Sequence, residues 1–319
     1  MRILLTGCTG LLGGRLTEYF SRFAEIELVI ATRDLSKIPI ELAMHQAVEI
    51  NWKRKDSLLF ACRAVDCVIH LAGMSAMQCL SASEEQRDLD VKGTQFLLEA
   101  AIESRVSKFI YFSTAHVYMS PLSGVIDESV MPSNDHPYSK QHLAKEKLVL
   151  GSHANGVFNS VVIRLSNSFG APVHSKADCW SLLINDLCKQ LVTTGKIILR
   201  SDGTERRDFI PISDVCRAVH FLINSIDKNH LHGIFNVGSG VESEAVLSIA
   251  KLVAERYQLK TSRNASIKLG VNSSGNNSLP KLFYSVDRLK SLGFSLEPSD
   301  DVFFDEIDRL LEFCSLNFG

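Results

Sequence analysis

Short apolar runs alternate with amphipathic stretches through the first half of the chain. The apolar runs are RILLT, IELVIAT, QAVEI, DCVIHLA, KFIYFS and NSVVIRL. Between them, apolar residues recur at helical spacing in the stretches 11–23, 57–63, 83–104 and 139–151. Strands that alternate with helices are typical of βαβ units in a parallel sheet. We therefore expect an α/β fold with a Rossmann-like, doubly wound parallel sheet, whose ligand crevice lies at the carboxyl ends of the strands.

The pattern becomes irregular after about residue 165, where a helix over 180–191 and short apolar runs are separated by polar segments. We expect a Rossmann domain over residues 1–165, which also takes in parts of 204–240. A smaller α/β lobe over 166–319 should bind the substrate and close the crevice. The stretch GVNSSGNNSLP, which ends at Pro280, has low complexity and predicts a mobile loop.

Glycines punctuate the turn between the first strand and the first helix. The stretch TGCTGLLGG places Gly7, Gly10 and Gly13 at regular intervals of three residues. Such glycines let the backbone turn tightly and approach a pyrophosphate, which then lies on the helix N-terminus. A tight turn without a ligand would need similar residues, but the position inside a first βαβ unit favours a dinucleotide. The intervening Thr9, Leu11 and Leu12 should line the same site.

The end of the second strand bears on the choice of dinucleotide. Arg33 stands twenty residues after Gly13, where an acidic residue would normally bind the ribose 2′-hydroxyl. An arginine can instead pair with a 2′-phosphate, so NADP(H) is favoured over NAD(H). The alternative is an exposed arginine at a strand end, and Asp34 beside it keeps NAD(H) possible.

Composition excludes several classes of function. The 319 residues carry a formal charge of −2 and a mean hydropathy of +0.08, with acidic and basic residues mixed. We expect no nucleic-acid partner, and no apolar stretch approaches the roughly 20 residues of a membrane helix. The eight cysteines are scattered without a C-x-x-C pair, which predicts reduced thiols and no metal site. With no signal peptide expected in MRILL, a cytoplasmic protein is predicted.

The stretch HPYSKQHLAKE places a tyrosine at the start of a predicted helix. His142 follows Tyr138 by one helical turn, so their side chains share a face. Lysines stand two and seven residues after the tyrosine, at Lys140 and Lys145. A phenol beside a cation is a compact device for proton transfer, and here an imidazole takes the place of the cation.

These motifs resemble those of the extended short-chain dehydrogenase/reductases that act on nucleotide-activated sugars. The resemblance runs nearly end to end and includes TGCTGLLG, DCVIHLAG, DVKGTQFLLEAA, FIYFSTAHVY, PYSKQHLAKE, RLSNSFG, GTERRDFIPISDV and FNVGSG. It implies a Rossmann domain that binds NAD(P), a smaller lobe that binds a nucleotide sugar, and a homodimer.

The resemblance also implies roles for individual residues. For the cofactor, Gly7, Gly10 and Gly13 would hold the diphosphate. Asn51 and Trp52 would lie at the adenine, although the family usually has an aspartate where Asn51 stands. The nicotinamide ribose would be lined by Leu71, Ala72 and Gly73. The catalytic residues would be Thr114, Tyr138 and His142, and the substrate-binding residues Met74, Asn167 and Arg207.

Several of these assignments have structural alternatives. Thr114 could simply end a strand, and Asn167 could form a turn. Arg206 could bind the phosphate in place of Arg207, or both could pair with nearby aspartates. His70 is better interpreted as a core histidine than as a catalyst.

Two departures from the family carry information about the reaction. The 4,6-dehydratases of the family have two acidic residues after the threonine, whereas this chain has Ala115 and His116. Because alanine cannot transfer a proton, dehydration is not expected. The second departure is His142, which replaces a lysine; Lys140 could fill that role only if two residues were deleted, since it points about 200° from Tyr138 in a regular helix.

A neutral histidine keeps the hydrogen bond to the ribose and loses most of the charge that lowers the pKa of the phenol. A protonated tyrosine suits ketone reduction better than alcohol oxidation. We therefore expect an NAD(P)-dependent nucleotide-sugar oxidoreductase or epimerase, with ketosugar reduction and epimerisation through a 4-keto species both open. The alternatives are a cofactor-binding regulator or partner subunit with a decayed site, and a dehydrogenase of another carbonyl compound.

Overall fold

The computed structural model describes residues 1–154, 157–229, 231–270, 281–296 and 300–319. The low-complexity stretch 271–280 lies outside them. The strands are β1 (Arg2–Thr6), β2 (Glu27–Thr32), β3 (Gln46–Glu49), β4 (Cys67–His70), β5 (Lys108–Thr114), β6 (Gly124–Ile126), β7 (Asn159–Leu165), β8 (Asn167–Phe169), β9 (Lys196–Ile198), β10 (Arg206–Arg207), β11 (Phe209–Pro211), β12 (Gly233–Val237), β13 (Glu244–Ala245), β14 (Ser266–Lys268) and β15 (Leu282–Tyr284). The α-helices are α1 (Leu11–Phe20), α2 (Lys55–Ala61), α3 (Ala76–Ser81), α4 (Glu84–Glu103), α5 (Pro137–Gly151), α6 (Leu183–Thr194), α7 (Ile212–Asn229), α8 (Val246–Thr261), α9 (Asp287–Ser291) and α10 (Asp300–Phe318).

The predicted apolar runs form the central sheet. Its order is β12-β7-β5-β4-β1-β2-β3, and the six strands from the predicted runs pair in parallel. The chain proceeds from β1 towards β3 on one side and from β4 outwards on the other, so the strand order reverses between β1 and β4. The doubly wound, Rossmann-like α/β fold is confirmed.

Continuous apolar runs form β1, β4, β5 and β7 because both faces of these strands are largely buried, whereas the edge strand β3 is exposed at Gln46 and Glu49. Leu4, Val68 and Phe109 lie in one core cluster with Val162, and α4 adds Leu97. A strand covered by helices on both sides has no solvent-facing positions, which removes the alternation of apolar and polar residues.

The chain forms two compact units. The first comprises Met1–Met119, Met131–Leu165 and Ala218–Phe235, and the second comprises Ser120–Val130, Ser166–Arg217 and Asn236–Gly319. The segment 120–130, which lies inside the predicted 1–165 domain, belongs to the second unit because β6 pairs in parallel with β15.

The second unit has a core of its own. Leu187 and Leu191 of α6 lie in one apolar cluster with Val253 of α8 and Leu310 of α10. Its strands form short pairs, β8 with β11, β9 with β14 and β10 with β13. These pairs place the predicted substrate residues Asn167 and Arg207 on β8 and β10.

The eight cysteines are all buried and none forms a disulfide. Within the described ranges, no helix combines the length and apolar character needed to cross a membrane.

Candidate active site

The turn after β1 has no room for side chains. Gly7 has a φ of 79°, and a Cβ added to it would lie 3.0 Å from the backbone nitrogen of Ala72. A Cβ on Gly13 would lie 2.1 Å from the Gly7 carbonyl oxygen. The Thr6 hydroxyl accepts hydrogen bonds from the backbone N–H groups of Leu71 (3.2 Å) and Ala72 (3.3 Å). The fold thus brings the glycine turn against the segment that follows β4.

The start of α1 offers donors for an anion. Gly10 precedes the helix and, as a glycine, provides no side-chain cap for the first-turn N–H groups of Leu11, Leu12 and Gly13. Thr9 lies in the same turn. Uncapped N–H groups at the positive end of a helix dipole suit a diphosphate, and the bare glycine backbone lets it approach. These residues fit the diphosphate of a dinucleotide.

Arg33 and Asp34 both follow β2, but their side-chain contacts differ. Arg33 is exposed and, within the described part of the chain, makes no hydrogen bond or ion pair. Asp34 accepts from the Ser36 hydroxyl (2.6 Å) and the Ser36 N–H (3.0 Å) and pairs with Lys37 at 3.3 Å. Hydrogen bonds from Ser36 and Lys37 lower the pKa of Asp34. The carboxylate is therefore engaged in its own turn, whereas the guanidinium is available.

Asn51 and Trp52 follow β3. The Asn51 side-chain oxygen accepts a hydrogen bond from the Lys53 N–H at 3.0 Å, which forms a local turn. Trp52 is half-buried, with its ring centroid 5.6 Å from that of His70, and its Cβ would lie 3.4 Å from a Cβ on Gly93. Trp52 thus packs against the sheet and α4, and its contact with adenine stays a prediction.

Thr114 ends β5 and Tyr138 lies in the first turn of α5. The helix begins there because Pro137 occupies its first position and the His136 ring accepts a hydrogen bond from the Tyr138 N–H at 3.2 Å. The Thr114 side chain is close enough to Tyr138 to lower the pKa of its phenol. Burial, with a smaller contribution from Cys79, raises the pKa of Tyr138 to about 12, against the effect of the Thr114 side chain. The phenol is therefore protonated at neutral pH.

His142 lies one turn further along α5, and its ring packs edge-on against Tyr138 with centroids 4.4 Å apart. Its Nδ1 is 2.7 Å from the Tyr111 hydroxyl oxygen. Tyr111 is 1% exposed, and a buried hydroxyl without an acceptor is costly, so we assign Tyr111 as the donor. The proton of the neutral imidazole then lies on Nε2. Burial, followed by the charge of Lys145, lowers the pKa of His142 to about 3, so the ring is neutral.

Lys145, for which the sequence predicted no role, lies close to the same site. Lys145 Nζ is 2.5 Å from Asp90 Oδ2, and the lysine side chain is 3% exposed. Asp90 also accepts a hydrogen bond from the Gln141 amide at 2.7 Å. A Cβ on Gly73 would lie 3.1 Å from the Lys145 ammonium. Lys145 follows Tyr138 by seven residues, or two helical turns, and residues at this spacing share a helix face. This spacing could have predicted that Lys145 lies near the site.

Glu146 fixes α5 to the sheet. Its carboxylate accepts two hydrogen bonds from Arg164, at 3.1 and 2.7 Å, and one from the Ser113 hydroxyl at 2.5 Å. Arg164 lies on β7 and Ser113 on β5, so one buried carboxylate joins the helix to two strands. This bidentate contact sets the rotation of α5 and with it the direction of Tyr138.

Met74 and His70 are two further residues of the first unit with defined side-chain contacts. Met74 is half-buried beside α5, with its Sδ 4.0 Å from the Gln141 amide nitrogen. Both ring nitrogens of His70 are hydrogen bonded, to Thr6 at 2.8 Å and to Thr94 at 2.9 Å. His70 is thus a satisfied core histidine.

The predicted substrate residues of the second unit make local contacts. The Asn167 amide donates to the Asp208 carbonyl at 2.9 Å and ties β8 to β11. Arg207, 38% exposed, forms a bidentate pair with Glu205 at 3.0 Å for both bonds. Arg206 is engaged elsewhere, since it donates to the Ser243 carbonyl and lies 3.6 Å from Glu242. Across the described residues, no group of three His, Cys, Asp or Glu could hold a metal ion.

The sequence matches known proteins over most of its length. A family model described as the NAD dependent epimerase/dehydratase family matches residues 3–238. A dTDP-D-glucose 4,6-dehydratase of Mus musculus is 29% identical over 209 residues, which cover 65% of this chain and 56% of that protein. A UDP-glucose 4-epimerase of Halalkalibacterium halodurans is 27% identical over 257 residues, 75% of this chain and 76% of the relative. The match spans little more than half the length of the mammalian dehydratases.

Solved structures match the whole fold. MoeE5 in complex with UDP-glucuronic acid and NAD superposes with a TM-score of 0.79 at 22% identity, over 98% of both chains. The UDP-glucuronic acid 4-epimerase of Bacillus cereus, in complex with UDP-glucuronic acid and NAD, also gives 0.79 at 22% identity, over 99% of both chains. At these identities the likeness establishes the fold.

Proposed function

The chain belongs to the NAD dependent epimerase/dehydratase family, and from this premise we propose that it is an NAD(P)-dependent oxidoreductase or epimerase of nucleotide-activated sugars. The resemblance to the extended short-chain dehydrogenase/reductases is confirmed by the family match. The observation that carries the proposal is that Tyr138, influenced by Thr114, packs against a neutral His142 in the same unit as the glycine turn.

In this proposal the glycine turn and the first turn of α1 hold the cofactor diphosphate, and Leu71–Gly73 line the nicotinamide ribose. The bound cofactor supplies the hydride chemistry. NADP(H) is the preferred form, because Arg33 is exposed and unpaired within the described residues while Asp34 is engaged by Ser36. NAD(H) is the second candidate, since the similar structures of MoeE5 and of the Bacillus cereus 4-epimerase are complexes with NAD.

Tyr138 acts as the proton donor. Its phenol is protonated at neutral pH, and the Thr114 side chain lies close to it. His142, with its proton on Nε2, offers one N–H donor to a ribose hydroxyl without adding charge. A protonated phenol can deliver a proton to the oxygen of a ketone as hydride arrives at the carbon, so ketosugar reduction is the favoured reaction.

Epimerisation is the second candidate, because relatives and similar structures include 4-epimerases. An epimerase must first oxidise an alcohol, which requires Tyr138 to accept a proton. Dehydration is not proposed, although relatives include dehydratases, because Ala115 follows Thr114 where an acid would be needed.

The substrate is proposed to be a nucleotide sugar whose diphosphate is bound by Asn167 and Arg207. Arg207 would exchange its exposed partner Glu205 for the diphosphate, and Met74 would contact the sugar. A homodimer and a cytoplasmic location stay predictions.

The test is turnover of nucleotide sugars by the Tyr138→Phe variant. With NADPH and a panel of 4-keto nucleotide sugars, Tyr138→Phe should slow reduction by about 10²–10⁴-fold while cofactor affinity is unchanged. The control is Tyr19→Phe, which removes a phenol of the same unit that is bonded to His220 at 3.3 Å. In the reverse direction, oxidation should accelerate about tenfold per pH unit from pH 7 to 10, because only the phenolate accepts a proton and the pKa of Tyr138 is about 12.

Intact activity in Tyr138→Phe would place the active site elsewhere. Binding of cofactor and sugar without turnover by the natural protein would instead favour the non-catalytic regulator.

A further inference from the structure

The buried ion pair of Lys145 and Asp90 joins α5 to α4 beside the proposed cofactor site. The lysine side chain is 3% exposed, the aspartate 21%, and their charged atoms are 2.5 Å apart. Removing two charges from water is expensive, and a well-packed apolar pair of similar size would often be at least as stable. The bidentate pair of Glu146 and Arg164 separately attaches α5 to the sheet. The cost of burying the Lys145–Asp90 pair, together with its position, makes it a candidate for a functional role.

Its position links it to the proposed cofactor site. Tyr138, His142 and Lys145 are spaced by four and three residues and share one face of α5. The Lys145 ammonium lies 3.1 Å from where a Cβ on Gly73 would be. Gly73 directly follows Ala72, which contacts the Gly7 turn. The charge is thus at the end of β4, beside the segment proposed to line the nicotinamide ribose.

The pair is also held in a fixed arrangement. The Gln141 amide donates to Asp90 at 2.7 Å and to the Arg87 carbonyl at 3.1 Å. The Cys79 thiol donates to the Gln141 oxygen at 2.7 Å. After burial, the charge of Lys145 is the next cause that lowers the pKa of both His70 and His142. The field of the lysine therefore extends over the site in spite of its counter-ion.

We propose that Asp90 offsets the effect of the Lys145 charge on the nicotinamide ring, so that the site favours neither the oxidised nor the reduced cofactor. The proposal rests on the proposed function, since it assumes that a nicotinamide dinucleotide binds. The oxidised nicotinamide ring carries a positive charge and the reduced ring is neutral. Lys145 repels the oxidised ring and Asp90 attracts it, so the two together hold both redox forms with comparable affinity.

The experiment measures the ratio of the dissociation constants of NADP⁺ and NADPH by calorimetry, or of NAD⁺ and NADH if those bind. Lys145→Gln leaves Asp90 unbalanced and should shift the ratio about tenfold towards the oxidised form. Asp90→Asn leaves Lys145 unbalanced and should shift it about tenfold towards the reduced form. The double variant removes both charges and should return the ratio to within about threefold of the natural protein.

The matched control is Lys140→Gln on the same helix. Lys140 is exposed and pairs with the exposed Asp135 at 2.9 Å, so its removal changes the net charge equally and should leave the ratio unchanged. A second measurement, made without cofactor, is the pKa of His142 by NMR, which should rise in Lys145→Gln. Thermal unfolding verifies that each variant is folded.

Opposite shifts in the single variants and recovery in the double variant support the proposal. Single variants that weaken both redox forms alike, with an unchanged ratio, would assign the pair a structural role and overturn the inference while the proposed function stands. If the natural protein binds no nicotinamide dinucleotide, the proposed function fails and the inference falls with it.

Discussion

At the scale of single residues, the proposed proton-transfer site distributes two tasks over two side chains. A lysine one turn after Tyr138 would combine a hydrogen-bond donor with a positive charge. Here the half-buried His142 ring is neutral and bonded to Tyr111, and the positive charge lies one turn further on at Lys145. A phenol without an adjacent cation keeps its proton, so the arrangement favours donation over acceptance.

Arg33 carries the first residue-scale prediction. Arg33→Ala should weaken NADPH binding by about 1.5–3 kcal/mol and leave NADH binding unchanged, because only NADPH has the 2′-phosphate that a guanidinium can bind. Calorimetric titration of both cofactors measures this. Lys37→Ala is the control, since Lys37 is exposed nearby and already pairs with Asp34. A natural protein that binds both cofactors equally, or prefers NADH, would contradict the prediction.

At the scale of elements, the glycine turn shows two different needs for glycine. Gly13 is required by packing, because a Cβ would lie 2.1 Å from the backbone oxygen of Gly7, which cannot move away cheaply. Gly10 has a φ of −82°, and a Cβ there would meet the same oxygen at an ordinary 3.5 Å. Packing therefore does not require a glycine at position 10, and its missing side chain leaves space at the helix N-terminus, where the cofactor is proposed to bind.

These two glycines predict opposite outcomes for the same substitution. Gly13→Ala should lower the free energy of unfolding by about 1–3 kcal/mol or more, because the turn must distort. Gly10→Ala should change it by less than about 1 kcal/mol and weaken cofactor binding, because a methyl group would crowd the diphosphate. Denaturant unfolding and cofactor titration separate the two effects. Equal stability of both variants would be evidence against the packing argument.

At the scale of the whole molecule, segments of the two units alternate along the chain. The first unit is built from three segments, and the third, Ala218–Phe235, follows 52 residues of the second unit, Ser166–Arg217. That third segment contributes to the first unit on two sides: His220 packs against Phe23 of the region after α1, with ring centroids 4.4 Å apart, and β12 forms the edge of the sheet beside β7. A single cut after Leu165 therefore does not release a complete first unit.

This path predicts the behaviour of fragments. The fragment 1–165 contains every predicted cofactor residue, yet it should aggregate or unfold without cooperativity, because β7 becomes an uncovered apolar edge. The fragment 1–238 restores β12 and should keep more of the sheet. Circular dichroism, denaturant unfolding and cofactor titration compare both with the whole chain. Cooperative unfolding of 1–165 with full cofactor affinity would refute the prediction.

Local pattern predicted six of the seven strands of the central sheet and part of the proposed site. The six apolar runs became β1 to β5 and β7, and the inner strands among them are apolar because they are buried on both faces. The turn at Gly7 and the position of Tyr138 at the start of α5 could also be predicted from the sequence, because glycine spacing and helical spacing are properties of a few neighbouring residues.

Tertiary structure decided what depends on residues distant in sequence. Asp90 and Lys145 are 55 positions apart, and β6 finds its partner in β15 more than 150 positions later. Nothing near Arg207 in the sequence distinguishes Glu205 from Asp208 as its partner, and Asp208 instead bonds to Ser239. The sequence also does not predict that the Tyr111 hydroxyl forms a hydrogen bond with Nδ1 of His142. Periodicity records which face of an element is buried, whereas pairing between elements follows from packing, which the completed fold determines.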